Sequence, residues 1–207
     1  MNIGIVGIHT GIGKTICSAI LCQAIKADYW KPVQAGTLEQ SDSIIVEQLV
    51  SKKITIHRET YRLHTPASPH YAADLEGITI QVSDCKLPDT EGHLIIETAG
   101  GLLSPLSSNC LNLDLIQKLK CPVVVISENY LGSINHTLLT LKVLKDAGIR
   151  VLGIVFNGEK NEASEEFILH YSGVPLLFSI PKFENVNAES IARFCDSILP
   201  QMRLLLE

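Results

Sequence analysis

Several features that would define other classes of protein are missing from this 207-residue sequence. It has no C-x-x-C pair. Its six cysteines (Cys17, Cys22, Cys85, Cys110, Cys121 and Cys195) are scattered, and Cys17 and Cys22 share a predicted helix at a spacing poor for a disulfide or a metal. They read as small reduced core residues, the set expected of a cytoplasmic protein. No run of 18 apolar residues occurs and no basic segment precedes the first apolar stretch, so neither a membrane span nor a secretory signal is expected. An excess of positive charge is also lacking: 17 Lys and Arg stand against 22 Asp and Glu, net −5. That balance argues against nucleic acid or an anionic membrane as the main partner. Internal repeats, low-complexity tracts and interdomain linkers are absent as well. What remains is an ordinary globular composition, 46% hydrophobic and 19% charged, long enough for a substantial core and read as one domain over residues 1–207.

The most informative stretch covers residues 4–15. An apolar run over 3–6 reads as a short buried strand, a glycine-rich turn leads to Gly13-Lys14-Thr15, and residues 16–25 continue in a helical pattern. Strand, glycine loop, Lys-Thr and helix make a phosphate-binding arrangement. Backbone N–H groups of the loop and helix N-terminus point at the phosphates, the lysine reaches the β/γ-phosphates, and the threonine hydroxyl can ligate Mg²⁺. The spacing is unusual: Ile8 stands where a glycine is common, and Gly7 gives a G-x5-G-K-T pattern.

Further along, residues 29–33 read as a second strand ending near Pro32, which places Lys31 at the ligand-binding end of a parallel sheet. A solvated surface lysine is an equal alternative from sequence alone. Ser41 or Asp42 suits the N-cap of a helix over 43–51, and Asp42 becomes a metal ligand only beside a nucleotide–Mg²⁺ site. The state of 54–62 is open, 65–70 is a rigid proline loop, 71–76 a short helix and 78–84 the start of another. Residues 92–101 carry a buried strand ending at Glu97, then a small-residue turn at Ala99, Gly100 and Gly101. A strand-end carboxylate must be paired or metal-linked to be tolerated there, or else caps a helix. Residues 102–106 form a loop, 112–120 a helix, and 122–127 the clearest buried strand. A helix over 137–147, a strand over 151–158, a helix over 162–171, a strand over 174–181 and a terminal helix over 188–206 interrupted by Pro200 complete the pattern. This alternation predicts an α/β fold: a mostly parallel twisted sheet with helices on both faces, P-loop NTPase-like.

Taken in order, these landmarks resemble the dethiobiotin synthetase family of ATP-dependent carboxylases. They are the G-x5-G-K-T loop, Lys31-Pro32-Val33 with Gly36 and Ser41-Asp42, Glu97 with Ala99-Gly100-Gly101, and Leu131-Gly132 with Ile134-Asn135-His136. Thr65-Pro66, Ser68-Pro69-His70 and Asn157 also fit, so the resemblance spans nearly the whole chain. It implies that CO2 adds to one amine of 7,8-diaminononanoate, that ATP phosphorylates the resulting carbamate, and that the second amine closes the cyclic urea in biotin synthesis. Lys14 and Lys31 would then be catalytic, and Thr15, Asp42 and Glu97 would hold Mg²⁺.

The same resemblance implies a nucleotide site. Gly11, Ile12, Gly13, Lys14, Thr15 and Ile16 would surround the phosphates, with Asp42, Glu97, Thr98, Ala99 and Gly100 beside them. Asn157 and Gly158 would meet the adenine, lined by Pro181, Lys182 and Phe183. The substrate would meet Thr10, Lys31, Ala35 and Pro69, and its acid tail would meet Ser133, Ile134 and Asn135 from the neighbouring subunit of a homodimer. Two positions depart from the family pattern: Gly11 replaces an acidic residue and Ala35 a serine. The lost Ala35 hydroxyl is worth about 1 kcal/mol. A rival of the same superfold is a deviant P-loop ATPase switch of the partitioning or metal-delivery type. That type expects a second lysine early in the loop or an amphipathic membrane-targeting tail. Position 9 is histidine, and the tail 201–207 carries a single arginine.

Overall fold

The computed structural model describes residues 1–206; Glu207, the end of the 201–207 tail, lies outside them. The chain alternates between strand and helix. In order it forms β1 (Asn2–Gly7), α1 (Lys14–Ile25), β2 (Asp28–Trp30), β3 (Val33–Ala35), α2 (Asp42–Leu49), β4 (Ile56–His57), β5 (Tyr61–Leu63) and α3 (Pro69–Leu75). Then come β6 (Leu94–Gly101), β7 (Pro105–Ser107), β8 (Cys110–Leu111), α4 (Asn112–Leu119), β9 (Val123–Glu128) and α5 (Ser133–Asp146). The chain ends with β10 (Val151–Asn157), α6 (Glu162–Ser172), β11 (Leu176–Ile180) and α7 (Ala188–Leu206).

Seven strands make one sheet in the order β11-β10-β9-β1-β6-β2-β4, and every pairing in it is parallel. The continuous apolar runs follow from burial on both faces, because successive side chains of a strand point to opposite sides. Ile3 and Ile5 of β1, with Val124 and Ile126 of β9, pack under α1, α2 and α7 against Ile20, Leu21, Val46 and Ile191. Val6, Val125, Ile96 and Phe156 point the other way, against Ala72 of α3, Leu115 and Ile116 of α4, Leu141 and Leu144 of α5 and Ile168 of α6. The six cysteines are all free, five of them buried. No described helix is long and apolar enough to cross a membrane.

The structure corrects several sequence expectations. The strand expected over 29–33 breaks at Lys31-Pro32. Proline has no N–H for the ladder, so the chain leaves the main sheet there and β3 pairs with β5 instead. That pairing accounts for part of the open 54–62 stretch, which holds β4 and the start of β5. Over 78–84 only a single 3₁₀ turn forms, Val82–Asp84. The strand around Glu97 does not end there: β6 runs on through Gly101. Beyond it, the loop expected over 102–106 already contains the start of β7, which forms a small antiparallel hairpin with β8. Helix α5 begins at Ser133, one turn earlier than the periodicity suggests, after Gly132 at φ 102. Pro200 sits inside α7 without ending it.

Phe156 is 1% exposed beneath the second helical layer. Phe156→Ala is expected to remove about 3–5 kcal/mol of stability, read as a lower urea midpoint at unchanged m. A loss below about 1 kcal/mol would contradict the packing described.

Candidate active site

The loop between β1 and α1 is shaped by its glycines. Gly11 and Gly13 have φ of 81° and 88°, where residues with a Cβ are strained. A Cβ on Gly7 would meet Ile12 Cδ1 at 2.8 Å, His9 O at 2.9 Å and Lys14 Nζ at 3.1 Å. Gly7 thus makes room for Lys14 to fold back, and the unusual loop spacing has a steric reason. Lys14 Nζ donates to His9 O at 3.2 Å. Gly13 caps α1 without a side-chain hydrogen bond, so the first-turn N–H groups stay available to an anion. Around Gly11, a Cβ would point into open space.

Beside this loop three elements deliver oxygen donors and a second lysine. Thr15 Oγ1 lies 2.8 Å from Asp42 Oδ1 and 3.0 Å from Glu97 Oε1. Lys31 Nζ pairs with Asp42 Oδ2 and reaches Glu97 Oε1 at 3.2 Å. Lys31 is 5% exposed and Glu97 1%. Asp42 is presented by the N-terminus of α2, capped by Ser41 Oγ accepting from Ile44 N. Burial pulls the Lys31 ammonium pKa down, but the Glu97 and Asp42 carboxylates outweigh it and hold the value above the ordinary one. Burial likewise pushes Asp42 up, and Lys31 more than reverses this, leaving its carboxyl below the usual range. Removing one partner from a buried pair of this kind costs about 3–5 kcal/mol, because the other charge is stranded. The sequence alternatives for Lys31 and Glu97, a solvated surface residue and a helix cap, are excluded by this geometry.

The donor set suits a hard cation. Thr15, Asp42 and Glu97 offer oxygens only, and Mg²⁺ characteristically takes one or two carboxylates and completes its shell with phosphate oxygens and water. Among the described residues no group of three or more His, Cys, Asp or Glu forms a self-sufficient metal cage.

Other expected residues fall around this centre in different ways. Ile12 is fully buried, and its carbonyl accepts from Asn157 Nδ2 at 2.9 Å. Asn157 therefore clamps the loop from β10, and a Cβ on Gly13 would come within 2.4 Å of its nitrogen. Ile16 packs into the core. Thr98 turns its hydroxyl into the sheet, donating to Ile5 O at 3.0 Å. Asn112 Nδ2 donates to the carbonyls of Ala99 and Gly101, fixing the strand end around Gly100, whose φ is 82°. Gly158 is exposed at φ 90°, next to Glu128. Pro181 and Lys182 are exposed after β11, while Phe183 stacks edge-on against Phe194. Ala35 ends β3, and Gly36 beside it lets Pro66 approach; Pro69 is buried at the first position of α3.

A cleft of about 510 Å³ adjoins the loop, lined by His9, Thr10, Leu103, Ser104, His136 and Leu139 among others. Tyr130 bridges the loop and α5: its ring meets that of His9 edge-on at 5.2 Å, and its hydroxyl lies 2.6 Å from His136 Nδ1. At the start of α5, Ser133 is 1% exposed and its hydroxyl has no partner, Ile134 is half-buried and Asn135 is exposed. Two residues were not anticipated from sequence. Ser18 and Tyr29 are both fully buried and both reach Glu97 Oε2, at 2.8 and 3.0 Å. Ser18 lies one helical turn after Lys14, and Tyr29 two residues before Lys31; those spacings are the only hints the sequence holds.

A family model described as an AAA domain matches residues 1–190. The chain is 48% identical over 192 residues to the ATP-dependent dethiobiotin synthetase BioD of Cytophaga hutchinsonii, covering 92% of this chain and 93% of that protein. To the protein of the same name from Chlamydia pneumoniae it is 43% identical, covering 93% and 86%. The chain belongs to the ATP-dependent dethiobiotin synthetase family. Among solved structures, a ParA family ATPase from Chlorobium tepidum TLS superposes with a TM-score of 0.54 at 15% identity, covering 99% of this chain and 95% of that one. The septum site-determining protein MinD from Pyrococcus horikoshii OT3, complexed with Mg-ADP, gives 0.55 at 15%, covering 96% of each. At that identity the likeness is one of fold, and the fold is the P-loop NTPase-like sheet expected from the sequence.

In this dethiobiotin synthetase family member, Lys14 carries a pH signature. Burial lowers its pKa from the ordinary 10.5 to about 8, against the raising pull of Glu97. The unfolded chain binds more protons than the folded one between those values, so this group's contribution to stability rises with pH through that window. A bound triphosphate favours the ammonium form. Affinity for ATP is therefore expected to fall as pH climbs past about 8, and Lys14→Met should flatten that dependence in calorimetric titrations. An affinity that stays level from neutral to alkaline pH in the unaltered protein would contradict the burial argument.

Proposed function

We propose that this protein is an ATP- and Mg²⁺-dependent cyclo-ligase that carboxylates 7,8-diaminononanoate and closes the ureido ring of dethiobiotin. The observation that carries the reading is the delivery of Lys31, from outside the phosphate loop, into a buried position between Asp42 and Glu97 beside Thr15. A nucleotide switch needs the phosphate loop. Phosphoryl transfer to a bound carbamate needs in addition a cation fixed where charge develops on the acceptor.

One amine of the diamine attacks CO2, forming a carbamate and releasing a proton. A carbamate oxygen takes the γ-phosphoryl group of ATP, giving a carbamic-phosphoric anhydride and ADP. The second amine then attacks the carbamoyl carbon, expelling phosphate and losing a proton as the cyclic urea forms. Lys14 neutralises the phosphates, and Lys31 orients the carbamate and stabilises charge on the transferring group. Thr15, Asp42 and Glu97 would hold Mg²⁺, which when bound supplies further charge neutralisation at the phosphates. Asn157 fixes the loop and faces the base, which packs toward Pro181, Lys182 and Phe183. Thr10, Ala35 and Pro69 border the diamine.

Ser133, Ile134 and Asn135 receive the substrate carboxylate. Support comes from a helix start with no side-chain cap after Gly132, where only the Ser133 amide is engaged, by Tyr130 O, and from the buried, unpartnered Ser133 hydroxyl. In this reading the carboxylate comes from the neighbouring subunit's site, so the protein works as a homodimer, one domain per subunit, in the cytoplasm. No observation favours the ATPase-switch alternative over the ligase.

Purified protein with the diamine, bicarbonate and Mg-ATP should yield dethiobiotin by mass spectrometry. ATP binding without product would overturn the reading. Lys31→Ala should lower kcat by about 100-fold or more while ATP affinity changes little; an unchanged kcat would remove Lys31 from the mechanism.

A further inference from the structure

The two oxygens of Glu97 have different company. Oε1 meets Thr15 and Lys31, the groups beside the phosphate loop. Oε2 meets Ser18 Oγ at 2.8 Å and Tyr29 OH at 3.0 Å. Both donors are fully buried on elements flanking β6: Ser18 on α1, and Tyr29 on β2 in register with Ile95. Their surroundings are apolar; Tyr29 lies among Ile3, Ile5 and Ile20 in the core. Packing alone has no use for the Tyr29 hydroxyl, since phenylalanine would fill nearly the same volume; the Ser18 hydroxyl lies between Glu97 Oε2 and the Lys14 carbonyl at 2.9 Å, and its one hydrogen serves a single acceptor at a time. A carboxylate, by contrast, rotates broadly about its terminal bond, and an oxygen left without donors in a dry interior is destabilising.

We propose that Ser18 and Tyr29 are positioning residues of the phosphoryl-transfer site, gripping Glu97 Oε2 so that Oε1 is aimed at Thr15 and Lys31. This rests on the reading of Glu97 as a carboxylate of that site. It extends the working set to two hydroxyls that touch neither nucleotide nor substrate.

The test compares Tyr29→Phe, Ser18→Ala and Glu97→Gln with the unaltered protein. Three quantities are read: kcat, KM for ATP, and the Mg²⁺ concentration that half-saturates calorimetric binding of a non-hydrolysable ATP analogue. Tyr29→Phe and Ser18→Ala should each lower kcat about tenfold and raise the Mg²⁺ midpoint, with KM for ATP within about twofold. Added to Glu97→Gln, Tyr29→Phe should move the Mg²⁺ midpoint no further, because the group it positions is already altered. If both hydroxyl variants keep the original kcat and Mg²⁺ midpoint and lose only thermal stability, the hydroxyls are core hydrogen bonds and the proposal is overturned. Should Glu97→Gln itself leave kcat and midpoint unchanged, the assignment of Glu97 fails and this inference falls with it. If Tyr29→Phe does not fold, Ser18→Ala decides alone by the same criteria.

Discussion

The ligand-binding end of this fold depends on one buried charge arrangement, the Lys31 ammonium held between the carboxylates of Asp42 and Glu97. Neither Lys31 nor Glu97, both buried, would be tolerated there without a partner. Each is brought by a different element: Lys31 by the break between β2 and β3, Asp42 by the first turn of α2, and Glu97 by the middle of β6. The interaction therefore ties together segments 11 and 66 residues apart along the chain. It also explains why Pro32 follows Lys31. The proline ends the ladder in the main sheet and directs the chain outward, so the lysine side chain stays at the point of departure.

The phosphate loop supplies the complementary half. Its glycines serve three separate physical ends: backbone conformation at Gly11 and Gly13, space for the Lys14 side chain at Gly7, and clearance for Asn157 at Gly13. Two lysines with opposite electrostatic settings result. Lys14 lies in a desolvated position where burial dominates, and Lys31 lies where carboxylates dominate. Lys14 thus meets an arriving triphosphate as an ammonium whose charge is held less firmly than an ordinary lysine's, whereas carboxylates hold the charge on Lys31. The likeness to ParA and MinD proteins is one of overall fold. The Lys31 arrangement is the feature on which the ligase reading depends.

Much of this was legible in the sequence where the signal was local. The continuous apolar runs at 94–96 and 123–126 identified buried parallel strands because both faces are covered, and the Gly-Lys-Thr loop identified the anion site. Asp42 was legible only as a helix-cap candidate or a conditional metal ligand, and Glu97 as a carboxylate in need of a partner, although the strand expected to end there runs on to Gly101. The signal ran out where a partner came from far along the chain. Ser18 and Tyr29 look like ordinary helix and strand residues until Glu97, 79 and 68 positions away, is placed between them. The small β3–β5 sheet was missed because three-residue strands carry too little periodicity. Residues 78–84 looked helical, but their mixed apolar positions support only one 3₁₀ turn.

The central claim is that this charge arrangement directs the γ-phosphoryl group of ATP onto a carbamate oxygen. Oxygen-isotope transfer tests it most directly. With bicarbonate labelled with ¹⁸O, 7,8-diaminononanoate and unlabelled Mg-ATP, the released phosphate should carry one ¹⁸O per ring closed, seen as an isotope shift in its ³¹P spectrum. Phosphate free of label, with dethiobiotin still formed, would mean that the carbamate is never phosphorylated and would contradict the account.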